Sequence, residues 1–283
     1  MKIVFFGTPD YVIPILKALS KHYEIASVIT QAPKPVGRKQ LLQYSAVDTW
    51  AFKHKVAIFH STGEFVKKGN SAELGILVAY GEKIPKNVID SFPHGILNIH
   101  PSLLPFYRGA SPVQAAIASG DNQTGVSIIK MDEELDHGSI VAQFKEEILA
   151  DDTTATLRAR LFSRSAEVLL ELLPAYLAGK IKLREQDHAK ATFSKSLKKE
   201  DGFLDLKKTK LQEAERFIRA MDPWPIAWTL LRLDSSGQAK RMKILKSHIE
   251  EGKLVLDEVQ LEGKNPVSWK QFKEAYPDSA FSL

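Results

Sequence analysis

An asparagine and a histidine stand two residues apart at the end of an apolar run, Ile96-Leu97-Asn98-Ile99-His100. Residues two apart on a strand point to the same face, so the side chains of Asn98 and His100 should lie together. An amide N–H can stabilise an oxyanion, and an imidazole can exchange a proton near neutral pH. Since buried α/β strands are mainly apolar, the pair indicates either catalysis or a hydrogen-bonded structural contact. Pro101 should end the strand here, where open α/β sheets bind ligands.

A second polar segment, residues 131–138, carries several acids in a turn after a predicted strand. Residues 132–134 have the composition of an exposed acidic turn. Asp136, just ahead of Gly138, is more constrained. A carboxylate at this position could orient His100 and hold a water for proton relay. The sequence alone does not place Asp136 opposite His100.

The remaining polar segments are less specific. Gly7-Thr8-Pro9-Asp10 lacks the G-x-G-x-x-G spacing of a dinucleotide site, so it is either a plain turn or a site for a small ligand. The sequence contains neither a G-x-S-x-G elbow nor a P-loop. The eight histidines lack metal-site spacing, so we predict no metal. With zero cysteines, disulfide scaffolds, zinc ribbons, iron–sulfur clusters and thiol catalysis are excluded.

The segments that must position these residues alternate between strand and helix patterns. Residues 2–6 are β-branched and aromatic, apolar residues then recur at helical spacing through residue 19, and residues 25–30 form a second buried-type strand. This order predicts a parallel sheet with a right-handed crossover. Further predicted elements are strands at 74–79, 96–99, 125–131 and 139–144, a basic loop at 31–43, and a long helix from about Leu157 to residues 178–180.

The composition and the pattern of predicted elements change after about residue 185. A lysine-rich stretch leads to one predicted helix and then to short strands separated by turns, which indicates a second, mostly β domain. The predicted helix is 210–220, and the predicted strands are 227–233, 242–249 and 254–259. We therefore predict a first domain at 1–185, a linker at 186–195 and a second domain at 196–283.

Size and composition are those of an ordinary globular protein. The chain has 283 residues, of which 44% are hydrophobic and 26% charged, which argues against wholesale disorder, collagen and coiled coil. No apolar run approaches the roughly 20 residues that a membrane helix needs. The first residues are too short for a secretory signal and lead directly into a strand. We expect a cytoplasmic protein without membrane contact.

The formal net charge of +5 is unevenly distributed. Residues 190–283 hold 18 basic and 14 acidic side chains, whereas residues 1–189 hold 21 and 20. Six lysines fall between Lys195 and Lys210. Such a run is either a solvated face or linker, or a surface that meets a polyanion such as nucleic acid. Composition does not decide between the two.

Taken together, these residues resemble the folate-dependent formyltransferases over nearly the full length. The matching motifs are Phe5-Phe6-Gly7-Thr8-Pro9-Asp10, Val78-Ala79-Tyr80-Gly81, Asn98-x-His100-Pro101-Ser102-Leu103-Leu104-Pro105-x-x-Arg108-Gly109-Ala110-x-Pro112, Gly125-Val126-Ser127-Ile128, Met131-Asp132-x-x-x-Asp136-x-Gly138, Lys199-Glu200-Asp201-Gly202 and Pro223-Trp224-Pro225. The set is specific for formyl transfer and less specific for the acceptor.

The resemblance implies an α/β fold: a Rossmann-like formyltransferase domain with a parallel-rich sheet, followed by a smaller, mostly β OB-like barrel domain. It implies that an amine attacks the formyl carbon of 10-formyltetrahydrofolate. Asn98 would stabilise the oxyanion, His100 would serve in oxyanion stabilisation and proton transfer, and Asp136 would set the protonation of His100 and relay protons. The residues implied at the folate are Tyr80, Gly81, Ser102, Leu103, Leu104 and Pro105.

The resemblance also implies an acceptor, the α-amine of charged methionyl initiator tRNA, and a monomeric enzyme of translation initiation. In the family a basic loop of the first domain inserts near the acceptor end of the tRNA, and Arg38 and Lys39 match its centre. The loop after Arg38 is shorter and less basic than usual in the family. The second domain's lysines would bind phosphates. The other residues implied at the acceptor are Gly7, Thr8 and Tyr11, near an apolar pocket for the methionyl side chain, with Arg108 and Gly109.

Two rival functions stay open. A formyltransferase acting on an amino-sugar nucleotide would share Asn98, His100 and Asp136, although the Arg38 loop and the basic second domain favour a nucleic acid. A noncatalytic RNA-binding protein built on an OB barrel would give these three residues no role. Glycinamide ribonucleotide formyltransferase is less consistent with the chain because it lacks the extra C-terminal domain.

Overall fold

The computed structural model describes residues 1–37, 40–69, 71–233 and 239–281. The chain opens with the strand, helix and strand that its apolar pattern predicts. In chain order, the elements up to residue 110 are β1 (Lys2–Gly7), α1 (Ile13–Ser20), β2 (Glu24–Ile29), β3 (Lys34–Val36), β4 (Leu41–Gln43), α2 (Ala46–His54), β5 (Ala57–Phe59), α3 (Thr62–Lys68), β6 (Leu74–Val78), α4 (Lys86–Ile89), β7 (Ile96–His100) and β8 (Arg108–Gly109).

The later elements include the predicted long helix that begins near Leu157. They also include the strands predicted after residue 185. They are α5 (Pro112–Ser119), β9 (Gln123–Lys130), β10 (Ser139–Glu147), α6 (Thr154–Leu177), β11 (Phe193–Ser194), α7 (Leu211–Met221), β12 (Ala227–Arg232), β13 (Lys240–Glu250), β14 (Lys253–Leu261), β15 (Val267–Ser268), α8 (Trp269–Ala275) and β16 (Ala280–Phe281).

These elements form two compact units, each made of three chain segments. The first unit comprises residues 1–110, 124–146 and 158–193, and the second comprises 111–123, 147–157 and 194–283. The second unit therefore takes two short segments from the interior of the region that the sequence assigns to the first domain.

The first unit is built on a seven-stranded sheet in the order β10-β9-β7-β6-β1-β2-β5. The strands β5, β2, β1, β6 and β7 are parallel, and β9 runs antiparallel to β7. From β1 the chain builds outward first through β2 to β5 and then, on the other side, from β6 to β10. The order thus reverses between β1 and β6, and such a switch point opens a crevice at the carboxyl ends of the strands. The Rossmann-like, parallel-rich sheet is confirmed.

An aromatic cluster supports the sheet beside this crevice. The Phe6 ring lies 6.4 Å from Phe65, 6.0 Å from Tyr80 and 6.1 Å from Phe92, each in an edge-to-face arrangement. All four side chains are buried. Edge-to-face pairs contribute about 0.5–1.5 kcal/mol beyond the burial of their area. The cluster therefore fixes the ends of β1 and β6 that carry the neighbouring turns.

The predicted basic loop at 31–43 differs from the structure, which contains a short hairpin of β3 and β4. Pro35 pairs with Leu42 in its register, and Gly37 adopts a positive φ of 69° after β3. Both arms carry apolar residues, which favour an extended pairing. Each arm has only three residues, so the sequence pattern is easily interpreted as a loop. Leu41 and Leu42 are exposed. Arg38 and Lys39 lie outside the described residues.

The second unit is smaller and mostly β, as predicted. Its sheet has the order β15-β14-β13-β12-β16, with antiparallel pairing throughout. Helices α5 and α7 pack against each other, and α7 also packs on β13. Within the described ranges, no helix has the length and apolar character required to cross a membrane.

Candidate active site

Strand β7 places Asn98 and His100 on one face, and both side chains reach the same carboxylate. Asn98 Nδ2 donates to Asp136 Oδ1 at 3.0 Å, and His100 Nδ1 lies 3.5 Å from Asp136 Oδ2. Asn98 is 7% exposed and His100 5%. We call these three residues the polar trio. The predicted pairing of the two β7 side chains agrees with this geometry, and the carboxylate 36 residues after His100 completes it.

The tautomer of His100 follows from its second contact. His100 Nε2 lies 2.9 Å from the carbonyl oxygen of Tyr107, which only accepts hydrogen bonds, so Nε2 carries a proton and donates. Nδ1 is then the nitrogen that faces Asp136. A proton placed between Nδ1 and the carboxylate is attracted to both, so the pair can take up a proton from a reacting group.

Asp136 occupies an unusual backbone conformation in the turn between β9 and β10. Its φ is 49°, in the left-handed region that Asp tolerates better than most residues. Its Oδ2 accepts from the backbone N–H of Gly109 at 2.8 Å. Gly138 packs so closely on the carbonyl of Lys130 that a Cβ there would collide with it. The turn therefore needs glycine at 138, and it directs the Asp136 carboxylate at β7.

The segment Ser102 to Pro105 is held by a buried hydroxyl on β9. Ser127 Oγ donates to the Ser102 carbonyl at 2.7 Å and accepts from the Leu104 N–H at 2.9 Å. Gln143 Nε2 donates to Ser127 Oγ at 2.8 Å and to the Leu104 carbonyl at 3.1 Å. Three hydrogen bonds to the loop, and a fourth between Gln143 and Ser127, thus fix its course directly after β7, beside the polar trio.

The switch-point crevice is bordered by the turns that follow β1 and β6. Thr8 Oγ1 donates to the Tyr80 carbonyl at 3.1 Å, and Gln31 Nε2 donates to the same oxygen at 3.2 Å. Gly81 adopts a φ of 88°, and a Cβ at this position would meet the Gln31 amide. Thr8, Tyr80 and Gly81 therefore come together, and Gln31 joins them.

The phenol of Tyr80 is buried and unavailable as a base. Burial, followed by the nearby Glu82 carboxylate, raises the pKa of Tyr80 well above its usual range. Its hydroxyl donates to Glu82 Oε2 at 3.1 Å. Of this residue, only the backbone carbonyl is directed toward Thr8 and Gln31.

Tyr11 lies in a stack of side chains near the end of β1. Its ring is parallel to Phe162 at 5.3 Å, and the Arg158 guanidinium lies 3.9 Å from the ring centre. Burial raises the pKa of Tyr11, with Arg158 opposing that shift. The ring presents an aromatic surface in a partly buried setting.

Arg108 and Gly109 lie beside the trio, but they point in different directions. The Gly109 N–H donates to Asp136, as described above. The Arg108 side chain is 5% exposed and directs its guanidinium to Gln186 and His188. Arg38 and Lys39, the other basic residues predicted at the acceptor, lie outside the described residues.

Sequence reasoning missed three polar residues around this site: Gln31, Ser127 and Gln186. Each supports a predicted residue through a partner at least 23 residues away in the chain. Ser127 stands in the matching motif Gly125-Val126-Ser127-Ile128, and that position on a buried strand was the one available signal. Gln186 falls at the start of the predicted linker and carries no such signal.

The site offers an amide donor and an imidazole that both contact one carboxylate at the carboxyl end of β7. An amide donor suits the oxyanion that forms when a nucleophile adds to a carbonyl carbon, and the imidazole–carboxylate pair suits the proton that the nucleophile loses. Within the part of the chain that the structure describes, no three His, Asp or Glu side chains are grouped to hold a metal ion.

Comparison with known proteins gives matches over both units. Residues 1–173, which include the polar trio, match the Formyl transferase family, and residues 196–254 match the Formyl transferase C-terminal domain. A methionyl-tRNA formyltransferase of Chloroflexus aggregans is 40% identical over 239 residues, which cover 82% of this chain and 77% of that protein.

Two solved structures share the fold. A methionyl-tRNA formyltransferase from Clostridium thermocellum aligns with a TM-score of 0.61 at 20% identity, over 92% of this chain and 98% of that one. HypX from Aquifex aeolicus, solved in complex with tetrahydrofolic acid, aligns with a TM-score of 0.67 at 17% identity, over 98% of this chain and 47% of that one.

Proposed function

The chain belongs to the methionyl-tRNA formyltransferase family, and on that basis we propose that it transfers the formyl group of 10-formyltetrahydrofolate to the α-amine of methionyl initiator tRNA. The observation that carries the proposal is the contact of Asn98 and His100 with the Asp136 carboxylate at the carboxyl end of β7. We assign the reaction to a monomeric, cytoplasmic enzyme.

Asn98 is the proposed oxyanion donor. When the amine adds to the formyl carbon, the carbonyl oxygen becomes an oxyanion that gains more from a hydrogen bond than the starting carbonyl does. The Asn98 amide has two N–H donors, and one is directed at Asp136 Oδ1. That bond fixes the orientation of the amide and leaves the second donor for the oxyanion.

The pair of His100 and Asp136 is the proposed proton acceptor. The attacking amine becomes positively charged as the N–C bond forms, and it must lose a proton before the intermediate collapses. Nδ1 of His100 and Oδ2 of Asp136 lie 3.5 Å apart and can share that proton. The same proton can then pass, directly or through a water, to the folate nitrogen that leaves the formyl carbon.

We assign the folate to the crevice beside the trio. Ser102, Leu103, Leu104 and Pro105 form the loop that Ser127 and Gln143 brace, and Tyr80 with Gly81 forms the turn after β6. Both segments follow neighbouring parallel strands, so they meet at one edge of the sheet. The braced loop presents a fixed surface to a planar ligand, which reduces the ordering that binding would otherwise require.

We assign the acceptor to the adjoining end of β1 and to the basic surfaces. Gly7, Thr8 and the ring of Tyr11 would border the methionyl side chain. Arg38 and Lys39 would contact the acceptor end of the tRNA, as the resemblance implies. Lysines of residues 196–283 would contact its phosphates, while residues 1–185 would carry out catalysis.

One assay tests the function against its rivals. The purified chain is incubated with 10-formyltetrahydrofolate and either methionyl initiator tRNA or an amino-sugar nucleotide, and formylated product is measured. We expect transfer to the tRNA. Transfer to the sugar alone would reject the tRNA acceptor, and transfer to neither would reject the enzyme.

A further inference from the structure

A buried glutamine outside the motifs clamps the turn that carries Asp136. Gln186 is 5% exposed. Its Nε2 donates to the carbonyl oxygen of Asp136 at 2.9 Å and to that of Gly138 at 2.8 Å. Both amide protons are therefore used on one turn, and they hold it at two points on either side of residue 137.

The orientation of this amide is set by a buried arginine. Gln186 Oε1 accepts from Arg108 Nη2 at 2.7 Å and from Arg108 Nε at 3.3 Å. Arg108 Nη2 also lies 2.7 Å from His188 Nδ1, and since guanidinium only donates, that nitrogen accepts. A cation at the oxygen side makes the reversed amide unfavourable, so the two N–H groups must face the turn.

The turn needs such support because of its backbone. A non-glycine residue in the left-handed region costs about 1–2 kcal/mol and persists only where its surroundings fix it. Asp136 has a φ of 49° and must present its carboxylate to Asn98 and His100 at the same time. Without a donor at its carbonyls, the turn can relax and carry the carboxylate away from β7.

We propose that Gln186 is a positioning residue that holds Asp136 in its reactive geometry, and that Arg108 acts through Gln186. The inference rests on the proposed function, since it assigns the clamp a role in formyl transfer. It differs from the acceptor-binding role that the resemblance implies for Arg108.

The first test replaces the amide by a group of the same shape. In Gln186→Glu both N–H donors are lost, and a carboxylate oxygen faces the two carbonyls. Because misplacement of a reacting group by about 1 Å can cost about 10²-fold, we expect kcat to fall by about that factor. The KM for folate should stay within about twofold. In Gln186→Met, which adds no charge, the pH profile of kcat/KM should also shift as the contact of Asp136 with His100 changes. A merely structural role would leave the pH profile of the folded fraction of Gln186→Met unchanged.

A matched control is provided by the neighbouring contact between the same two segments. Ser139 Oγ donates to Glu185 Oε1 at 2.6 Å in an exposed pair, so Glu185→Gln should keep wild-type kcat and pH profile. Gln186→Met, which preserves volume without charge, provides a second variant should the glutamate prevent folding. Thermal unfolding is measured for each protein so that turnover refers to folded enzyme.

A double-mutant cycle tests the part assigned to Arg108. If Arg108 acts through Gln186, the variant carrying both Arg108→Met and Gln186→Met should lose no more activity than Gln186→Met alone. Multiplicative losses would overturn that part of the proposal and return Arg108 to the acceptor. Wild-type kcat and pH profile in both Gln186 variants would overturn the positioning role.

A second measurement tests the clamp even if the proposed function is wrong. If the wild type transfers no formyl group to any acceptor, hydrogen–deuterium exchange of residues 131–138 still tests the clamp. We expect faster exchange in Gln186→Met than in the wild type or Glu185→Gln. Equal exchange in all three would show that Gln186 does not hold the turn.

Discussion

Asn98 is the proposed catalytic residue whose side chain is held most closely in place. It is buried, it lies on a central strand, and its amide is oriented by Asp136. These properties suit a donor that is rigid before the reaction begins, which is the condition under which an oxyanion gains most from a hydrogen bond.

We therefore expect Asn98→Ala to lower kcat by about 10²–10³-fold, the usual loss when one oxyanion donor is removed. The KM for folate should change little, because the donor acts in the transition state. Steady-state formyl transfer measures both constants, with Asn122→Ala, at an exposed position, as the control. Turnover near that of the wild type would contradict the assignment.

Asp136 accepts from two donors, the Asn98 amide and the Gly109 N–H, and faces Nδ1 of His100, so we expect that a neutral amide cannot replace it. In Asp136→Asn one oxygen becomes an N–H₂ group that must face Asn98, Gly109 or His100. We expect kcat to fall by about 10²-fold or more, as for loss of a proton-relay group. Glu133→Gln, at an exposed position of the same turn, should stay within about twofold of the wild type. Similar activity of the two variants would show that the carboxylate is dispensable.

The loop after β7 depends on Ser127 in β9. Ser127→Ala removes the partner of the Leu104 N–H and of the Ser102 carbonyl, both within the loop proposed to contact folate. Because a buried group left unpaired costs about 1–3 kcal/mol, we expect a loss of that size in the free energy of unfolding. A higher KM for folate should accompany it, measured beside urea unfolding. An unchanged KM at reduced stability would show that the loop does not contact folate.

Helix α6 is attached to the turn before β7 by one phenol. Tyr176 Oη donates to the carbonyl of His94 at 2.7 Å, and burial raises the pKa of Tyr176 to about 12. The folded chain therefore keeps this proton more tightly than the unfolded chain, whose tyrosine pKa is about 10. The stabilisation is complete below pH 10 and is lost as the pH rises through about 12.

Tyr176→Phe should lower the free energy of unfolding by about 1 kcal/mol at pH 7, through loss of the hydrogen bond. Between pH 10 and 12 the wild type should lose stability more steeply than the variant, so the two curves converge. Urea unfolding at a series of pH values measures this. Parallel curves would show that the Tyr176 proton is not linked to folding.

The sequence predicts helices and strands more completely than it predicts the side-chain hydrogen bonds that hold the loops between them. Strand β7 and the placement of Asn98 and His100 on one face follow from a period of two, which is a local property. Gln186 supports carbonyls that lie 48 and 50 residues earlier in the chain, and Ser127 supports a loop 23–25 residues before it. Such contacts depend on how distant segments meet, and no local pattern records that. The hairpin of β3 and β4 was missed because each arm has only three residues.

The positive charge of the C-terminal third is partly compensated by nearby carboxylates. Of the six lysines from Lys195 to Lys210, three face carboxylates: Lys195 with Asp201, Lys208 with Asp205, and Lys210 with Glu213. Lys195 and the neighbouring backbone hold the pKa of Asp201 below its ordinary value. These pairs are exposed on the lysine side, so they contribute little to stability and do not prevent a lysine from meeting a phosphate.

The salt dependence of the reaction tests whether this surface meets the tRNA. Replacing Lys199 and Lys207 by Gln should raise the KM for tRNA and reduce the slope of log KM against log salt by about 1 for every phosphate that is no longer neutralised. The KM for folate should not change. Replacing Lys17 and Lys21 by Gln, at exposed positions in and just after helix α1, should leave the slope unchanged. Equal slopes in both variants would place the tRNA phosphates against another surface.

The two segments that the second unit takes from the interior of the chain affect how the protein is made. Helix α5 packs on α7, and Thr154 Oγ1 and the Asp152 carbonyl hydrogen-bond to residues of α7. The ribosome releases these early segments long before α7 is synthesised. Until then α5 lacks α7, the helix on which it packs in the folded unit. A chimera that exchanges this unit between relatives must likewise carry residues 111–123 and 147–157 with it, because a single junction near residue 194 would separate α5 from the helix it evolved against.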